Sequence, residues 1–222
     1  MKVTKDLYAY EWKNPFENNC NSYYIGGSTG ALIDPGLSCF FPDLLARMEE
    51  DGIAQEDIRI VINTHSHPDH FEASELLNGK DNVLVCMLKE EVEFYNSTGK
   101  NMYDMFGLRA PEITIDMQLK EGPVTFGSEN FEVVHVPGHS PGSLALYWPV
   151  KKALFSGDVL FFQNVGRTDF PGGDSRLLKE SITRLSHYDA EYLLPGHMEL
   201  ITGSNNVQRN FSLIMDHVLA YL

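Results

Sequence analysis

The chain has 222 residues, 43% hydrophobic and 22% charged, enough to bury a sizeable core without disulfide staples. Its 31 acidic and 17 basic residues leave a net charge of -14, a field that repels phosphate backbones and anionic membranes and argues against nucleic-acid and membrane partners. Cys20, Cys39 and Cys86 form no CxxC pair, the N-terminal "MKVTKDLYAYEWKNP" carries no apolar leader, and no run reaches 18 apolar residues, so the expectation is a reduced, cytoplasmic protein that spans no membrane.

In chain order, "KDLYAYEW", "SYYIGG" and "ALIDPG" read as strands, with "GGSTG" as the hairpin turn between the last two. Residues 42–52 carry helical periodicity and stop at Gly52, after which "IRIVINTH" is a β-branched run suited to a buried strand. Residues 68–79 predict a helix with Pro68 in its first turn, followed by the strand "VLVCML" and a helix over 89–99. The segment "KNMYDMFGLRAPEI" reads as a loop or short helix over a site. Then comes a long β region of "ITIDMQL", "GPVTFG", "NFEVVHVPG", "SLALYWP" and "KALFSGDVLF". An amphipathic helix follows, capped by Asp174 or Ser175, then the strand and turn "AEYLLPGH" and a terminal helix. Strands followed by helices, twice over, predict two sheets packed face to face with helices outside, in one domain over residues 1–222.

The stretch "NTHSHPDHFE" sets His65, His67, Asp69 and His70 at the end of one such strand. His139 in "PGHSPGS", His197 in "PGHMEL" and Asp158 in "FSGDVLF" also fall straight after strands, where rigid backbone can aim side chains at a shared point. Imidazole with carboxylate and no nearby thiolate suits zinc, manganese or iron rather than a structural Cys-rich zinc site. Seven donors exceed the needs of one tetrahedral ion. Two ions can share them, three His at one, an Asp and two His at the other, and one carboxylate bridging. Such a pair, roughly 3.5–4 Å apart, holds a hydroxide nucleophile at neutral pH. His135, His187 and His217 lie away from this pattern and read as structural.

With "THSHPDH", "PGHS", "SGD" and "PGH" in this order, and the early "ALIDPG", the sequence resembles the metallo-β-lactamase superfamily over residues 31 to 197. The resemblance implies an α/β (α+β) fold, the four-layer αββα sandwich, with its site at one sheet edge. It implies His65, His67 and His139 at a first metal, Asp69, His70 and His197 at a second, and Asp158 bridging. Asp69 would also carry a proton to the leaving group. Asp34 would either orient a ligand imidazole or simply cap its turn before Pro35.

The stretch "NVGRTDFPGGD" is similar to the "GRTDF" loop of small glyoxalase II-like hydrolases and of persulfide dioxygenases. Arg167 in it could bind a substrate carboxylate or thiolate, or could pair with Asp169 or Asp174 to fix the loop. Against the glyoxalase II pattern, Ser66 replaces the middle histidine, Met198-Glu199 replaces a Gly, and only about one helix follows His197. Glutathione as the thiol is therefore left open. Residues 86–110, with Phe94, Tyr95, Tyr103 and Phe106, would form a substrate-facing lid or pack as aromatics on the sandwich.

The implied function is a metal-dependent hydrolase of a small ester or thioester, working by a metal-bridging hydroxide. It would use two divalent ions, zinc first and iron or manganese as alternatives, on a small-molecule substrate. The competing readings are a mononuclear iron persulfide dioxygenase, using His67 or His65 with His139 and Asp158, and a metal-dependent sensor without turnover.

Overall fold

The computed structural model describes residues 1–14, 16–80 and 82–221. Its first sheet contains β1 (Lys2–Thr4), β2 (Leu7–Tyr10), β3 (Ser22–Ile25), β4 (Ala31–Ile33), β5 (Ile60–Asn63), β6 (Leu84–Leu88) and β7 (Met117–Leu119), in that spatial order. Strands β1 to β4 pair antiparallel, and β4 to β7 pair parallel. The second sheet contains β8 (Gly122–Phe126), β9 (Glu129–His135), β10 (Leu144–Trp148) and β11 (Ala153–Gly157). After a small hairpin of β12 (Leu160–Phe161) and β13 (Asn164–Val165), β14 (Tyr192–Pro195) and β15 (Ile201–Thr202) complete it in the order β15-β14-β11-β10-β9-β8.

Side-chain alternation sorts each strand between two cores. Ile60 and Ile62 of β5, Ala31 and Ile33 of β4, and Leu144, Leu146 and Trp148 of β10 face the space between the sheets. There they meet Phe131 and Phe155, whose ring stands edge-on to Tyr23 at 5.5 Å. Val61 and Leu32 point the other way, onto α1 (Phe41–Glu50) through Phe41, Leu44 and Met48. On the far side Ala145, Leu154 and Leu193 pack under α5 (Ser175–Leu185) and α6 (Ser204–Leu213). Burial of both faces explains why these strands read as continuous apolar runs. The result is the expected four-layer α/β/β/α sandwich. In α5 the buried residues Leu178, Ser181, Ile182 and Leu185 form one stripe, and the N-cap is Asp174, which accepts from the Leu177 N–H at 2.9 Å.

Several expected elements differ. Residues 68–79 form only one α-helical turn, α2 (Pro68–Phe71), then a tighter turn over Glu72–Leu76. The Ser74 hydroxyl there donates to Asn63 Oδ1 at 2.7 Å, a side-chain tether that ties the segment to β5. The segment 113–119 does not lead into the second sheet as a full strand. Only Met117–Leu119 is extended, and it pairs parallel with β6, while Ile113 and Ile115 pack at the margin of the helical layer. The chain changes sheets between Leu119 and Gly122, whose φ of 119° favours glycine. The helix expected over 89–99 begins as α3 (Lys89–Phe94) and widens over Tyr95–Gly99, and the segment read as a loop or short helix contains α4 (Asn101–Met105). Among the described residues no helix is long and apolar enough to cross a membrane, and the three cysteines are free.

The inter-sheet core sets the fold's stability. Phe155 is 1% exposed and contacts both sheets. Phe155→Ala should lower the unfolding free energy by about 3–5 kcal/mol, read as a shifted denaturant midpoint at unchanged slope.

Candidate metal centre

Strand direction brings the site together. Because β9 and β11 both pair antiparallel with β10, they run the same way, and β14 is parallel to β11. Their C-terminal ends therefore share one edge of the second sheet, and His139, Asp158 and His197 lie just past those ends. In the first sheet β4 and β5 are parallel, which puts Asp34 beside the loop that starts at Thr64. Main-chain bonds stitch the two edges: Leu144 N–H donates to Thr64 O at 2.9 Å, and Asn21 N–H to Gly196 O at 2.7 Å.

Six of the seven predicted donors are no more than 8% exposed, and His197 is half-buried. Their ligand atoms converge in three overlapping groups, His65/His67/His139, His65/His70/Asp158 and Asp69/His70/His197, with atoms in each group within 4.8 Å of one another. His65 Nε2 approaches His139 Nε2 at 3.2 Å, and His70 Nε2 approaches His197 Nε2 at 3.3 Å. Asp69 Oδ2 is 3.2 Å from His197 Nε2. The Asp158 carboxylate lies between the groups, with Oδ1 3.2 Å from His70 Nε2, and Oδ2 3.3 Å from His197 Nε2 and 3.5 Å from His139 Nε2.

The outward ring nitrogens are tied down. His70 Nδ1 donates to Asp34 Oδ2 at 2.9 Å. His139 Nδ1 donates to the Arg167 carbonyl at 2.7 Å. Thr64 Oγ1 donates to Asp34 Oδ2 at 2.7 Å, which leaves its lone pair for His65 Nδ1 at 3.1 Å. Each of these bonds leaves the inward Nε2 free as a donor to a cation. Asp34 itself adopts φ 50° and also accepts from the Thr64 N–H at 2.7 Å.

Electrostatics divides the cluster. Burial pushes the His65 and His67 imidazoles well below their ordinary value and lowers His139 as well. Burial also opposes charge on His70 and His197, but Asp158 foremost outweighs it, raising His70 well above its ordinary value and His197 to about 10. The Asp69 carboxyl, buried yet facing His70 and His197, is held down at about 2, and Asp158 is also held well below its ordinary value by His197 and His70.

A metal fits these donors. Among the described residues, His67 Nε2 and Asp158 Oδ1 are buried with no hydrogen-bond partner. The spacings of 3.2 and 3.3 Å between facing imidazoles match the roughly 3.3 Å between donors around a tetrahedral ion with bonds of about 2.05 Å. The backbone also yields space: a Cβ at Gly196 would collide with Asp158 Oδ1, so only glycine lets the last turn pass this close.

A cavity of about 320 Å³ opens onto the cluster. Its walls include Met102, Phe106, Phe161, Val165 and Phe170, together with Asn18, Asp69 and Arg167. The Arg167 guanidinium makes a two-point ion pair with Asp169, both contacts at 2.6 Å, and lies 3.8 Å from the Phe170 ring centroid. Of the four aromatics expected in a lid, only Phe106 lines the cavity. Phe94, Tyr95 and Tyr103 are buried, and Tyr95 and Tyr103 pack with Phe71 and Met87, because β6 and α3 lead them under the helical layer. His135 lies apart and donates from Nε2 to Pro141 O at 2.8 Å. Phe161 goes unmarked in the sequence, while Met102 belongs to the segment read as lying over a site and Phe170 to the "GRTDF" loop. Glu91 also goes unmarked, one acid among several in "KEEVEF".

Residues 15–197 match the family model of the metallo-beta-lactamase superfamily. A probable metallo-hydrolase of Methanocaldococcus jannaschii is 33% identical over 84% of this chain and 91% of its own length. A hydroxyacylglutathione hydrolase of Haemophilus influenzae is 33% identical over 75% of this chain and 78% of its own. Among solved structures, a B3 metallo-beta-lactamase superposes with a TM-score of 0.75 at 27% identity, covering 95% of this chain and 97% of that one. A protein in a di-iron-bound form superposes at 0.71 with 32% identity, covering 89% of this chain and 96% of that one. With its expected sandwich, its His/Asp cluster and a family match across most of its length, the chain belongs to the metallo-beta-lactamase superfamily.

Proposed function

We propose that the chain, acting as one domain, hydrolyses a small ester or thioester with two divalent ions. The observation that carries this reading is the Asp158 carboxylate, which stands within 3.5 Å of nitrogens from both histidine groups. His65, His67 and His139 would hold one ion, and Asp69, His70 and His197 the other, with Asp158 shared. Bound there, the ions would supply Lewis acidity and a water of lowered pKa. Zinc is the ion proposed from the imidazole-rich donors, and the di-iron form of a structural neighbour supports iron as the alternative.

The protein's own groups would do the rest. Asp34, Thr64 and the Arg167 carbonyl hold three imidazoles in one tautomer, so no ring turns away during turnover. Asp69 lines the cavity beside His197 and would accept the proton released by the attacking water and pass it to the leaving thiolate or alkoxide. Phe106, Phe161 and Phe170 shield the acyl group from bulk water. Arg167 would contact substrate as part of this wall, its charge already met by Asp169. The cavity volume is at the small end for ligand sites, which favours a short acyl group. The hydroxyacylglutathione hydrolases among the relatives support a thioester.

Protein loaded with two zinc ions should hydrolyse at least one member of a panel of thioesters, lactones and aryl esters. Turnover of none, at full metal content, would rule the hydrolase out. One iron per chain, with oxygen uptake on a persulfide, would instead favour the dioxygenase. Mass-spectrometric metal counts provide a second check. Asp158→Ala should deplete both ions, whereas His70→Ala should empty mainly the site of Asp69 and His197. Loss of a single ion in both variants would contradict the shared role of Asp158.

A further inference from the structure

Behind the cluster lies a carboxylate with no part in the reaction above. Glu91 of α3 is 0% exposed. Its Oε1 accepts from the Ser66 N–H at 2.8 Å and the Ser66 hydroxyl at 2.6 Å. Its Oε2 accepts from the Gly142 N–H at 2.8 Å. The Ser140 hydroxyl is shared, 2.7 Å from Oε1 and 2.6 Å from Oε2. At position 142 only glycine fits, because a Cβ would run into the Glu91 backbone. Ser66 stands between His65 and His67, and Ser140 directly follows His139. One side chain thus grips both loops that carry the His65/His67/His139 group. Asp34 backs His70 of the other group directly and reaches His65 only through Thr64.

We propose that Glu91 is a positioning residue for the ion held by His65, His67 and His139, a two-ended clamp that sets the spacing between the 65–67 and 139–142 loops. This rests on the two-ion reading. The chemistry demands a carboxylate: the two backbone N–H groups need an acceptor at each end, and a carboxylate is acceptor at both. A Gln side chain has one acceptor oxygen. Whichever way its amide turns, its NH2 faces either the Ser66 or the Gly142 N–H. The clamp also gives Ser66 a purpose, since a serine hydroxyl reaches back to Glu91, away from the cluster.

The test is stepwise binding of zinc, and of cobalt followed by its visible absorption, to metal-free full-length protein. His139→Ala and His197→Ala serve as references for the two sites. E91Q should weaken one ion by about 10–100-fold, the range for groups that orient metal ligands. The weakened ion should be the one that His139→Ala abolishes, and the cobalt spectrum of the remaining ion should match that of His139→Ala. Wild type taking up two ions while E91Q binds both with wild-type affinity would overturn the clamp. So would equal weakening of both sites, which is what a general fold staple would give. If wild type takes up one ion, the two-ion reading fails. The clamp then stands only if that ion is lost in His139→Ala and weakened in E91Q. Should E91Q not fold, Ser66→Ala decides: it removes the hydroxyl bond and keeps the N–H bond, so it should weaken the same ion to a smaller degree, and no change there would overturn the clamp.

Discussion

The structure turns on seven titratable side chains crowded into one largely buried space. Imidazole nitrogens and carboxylate oxygens face one another at 3.2 to 3.5 Å in a largely buried space. Without a proton or cation between them their lone pairs repel, and burial denies them water. A cluster of this kind persists only if its surroundings hold it. Asp34, Glu91, the Arg167 carbonyl and the backbone bonds across the sheet edges provide that hold.

The sandwich suits this demand because it supplies stiffness where it is needed. Each donor follows a strand whose two faces are covered, so its backbone starts from a position fixed by the inter-sheet core. The edges of the two sheets are then joined by main-chain bonds and by Tyr23, whose hydroxyl donates to Pro195 O at 2.7 Å. An ångström of misplacement would ruin a site of this density, and loops without such anchors would not hold it. The close approaches at Gly196 and Gly142 show the same economy of space: the loops are packed to the point where a single methyl group does not fit.

How much of this the sequence reveals depends on where the signal is written. "THSHPDH" is compact, and "PGHS", "SGD" and "PGH" each follow an apolar strand, so the donor set and the layered fold are legible. Asp34 is ambiguous in sequence because Asp before Pro is also an ordinary turn residue; the left-handed φ and the bond to His70 appear only in three dimensions. Glu91 is hidden in the sequence for a different reason. Four charged residues occur among the first five of "KEEVEF", the pattern of a solvated helix, and nothing local marks the one that points inward. The Arg167 carbonyl could not have been found, since every residue has one. Likewise Ile113 and Ile115 pack outside β7 against the helical layer, although their alternation reads as strand.

The same division separates chemistry from selectivity. The donors sit on strand ends, while the walls of the cavity come from α4, the 160–165 hairpin and the 166–173 loop. The hairpin is held from behind by Asn210, which accepts from Gln163 N–H at 2.7 Å and donates to Phe161 O at 2.9 Å. Walls built on such elements can change without disturbing the cluster. Among the described residues Arg167 is the one Lys or Arg in the lining, and Asp169 already neutralises it. Apart from this pair, the titratable residues of the described lining are the proposed donors, and the rest of the wall is mostly apolar. Under the proposed function, shape and apolar area would then set selectivity, at about 10–200-fold per methylene. For the proposed ester or thioester, that would place recognition in the acyl half.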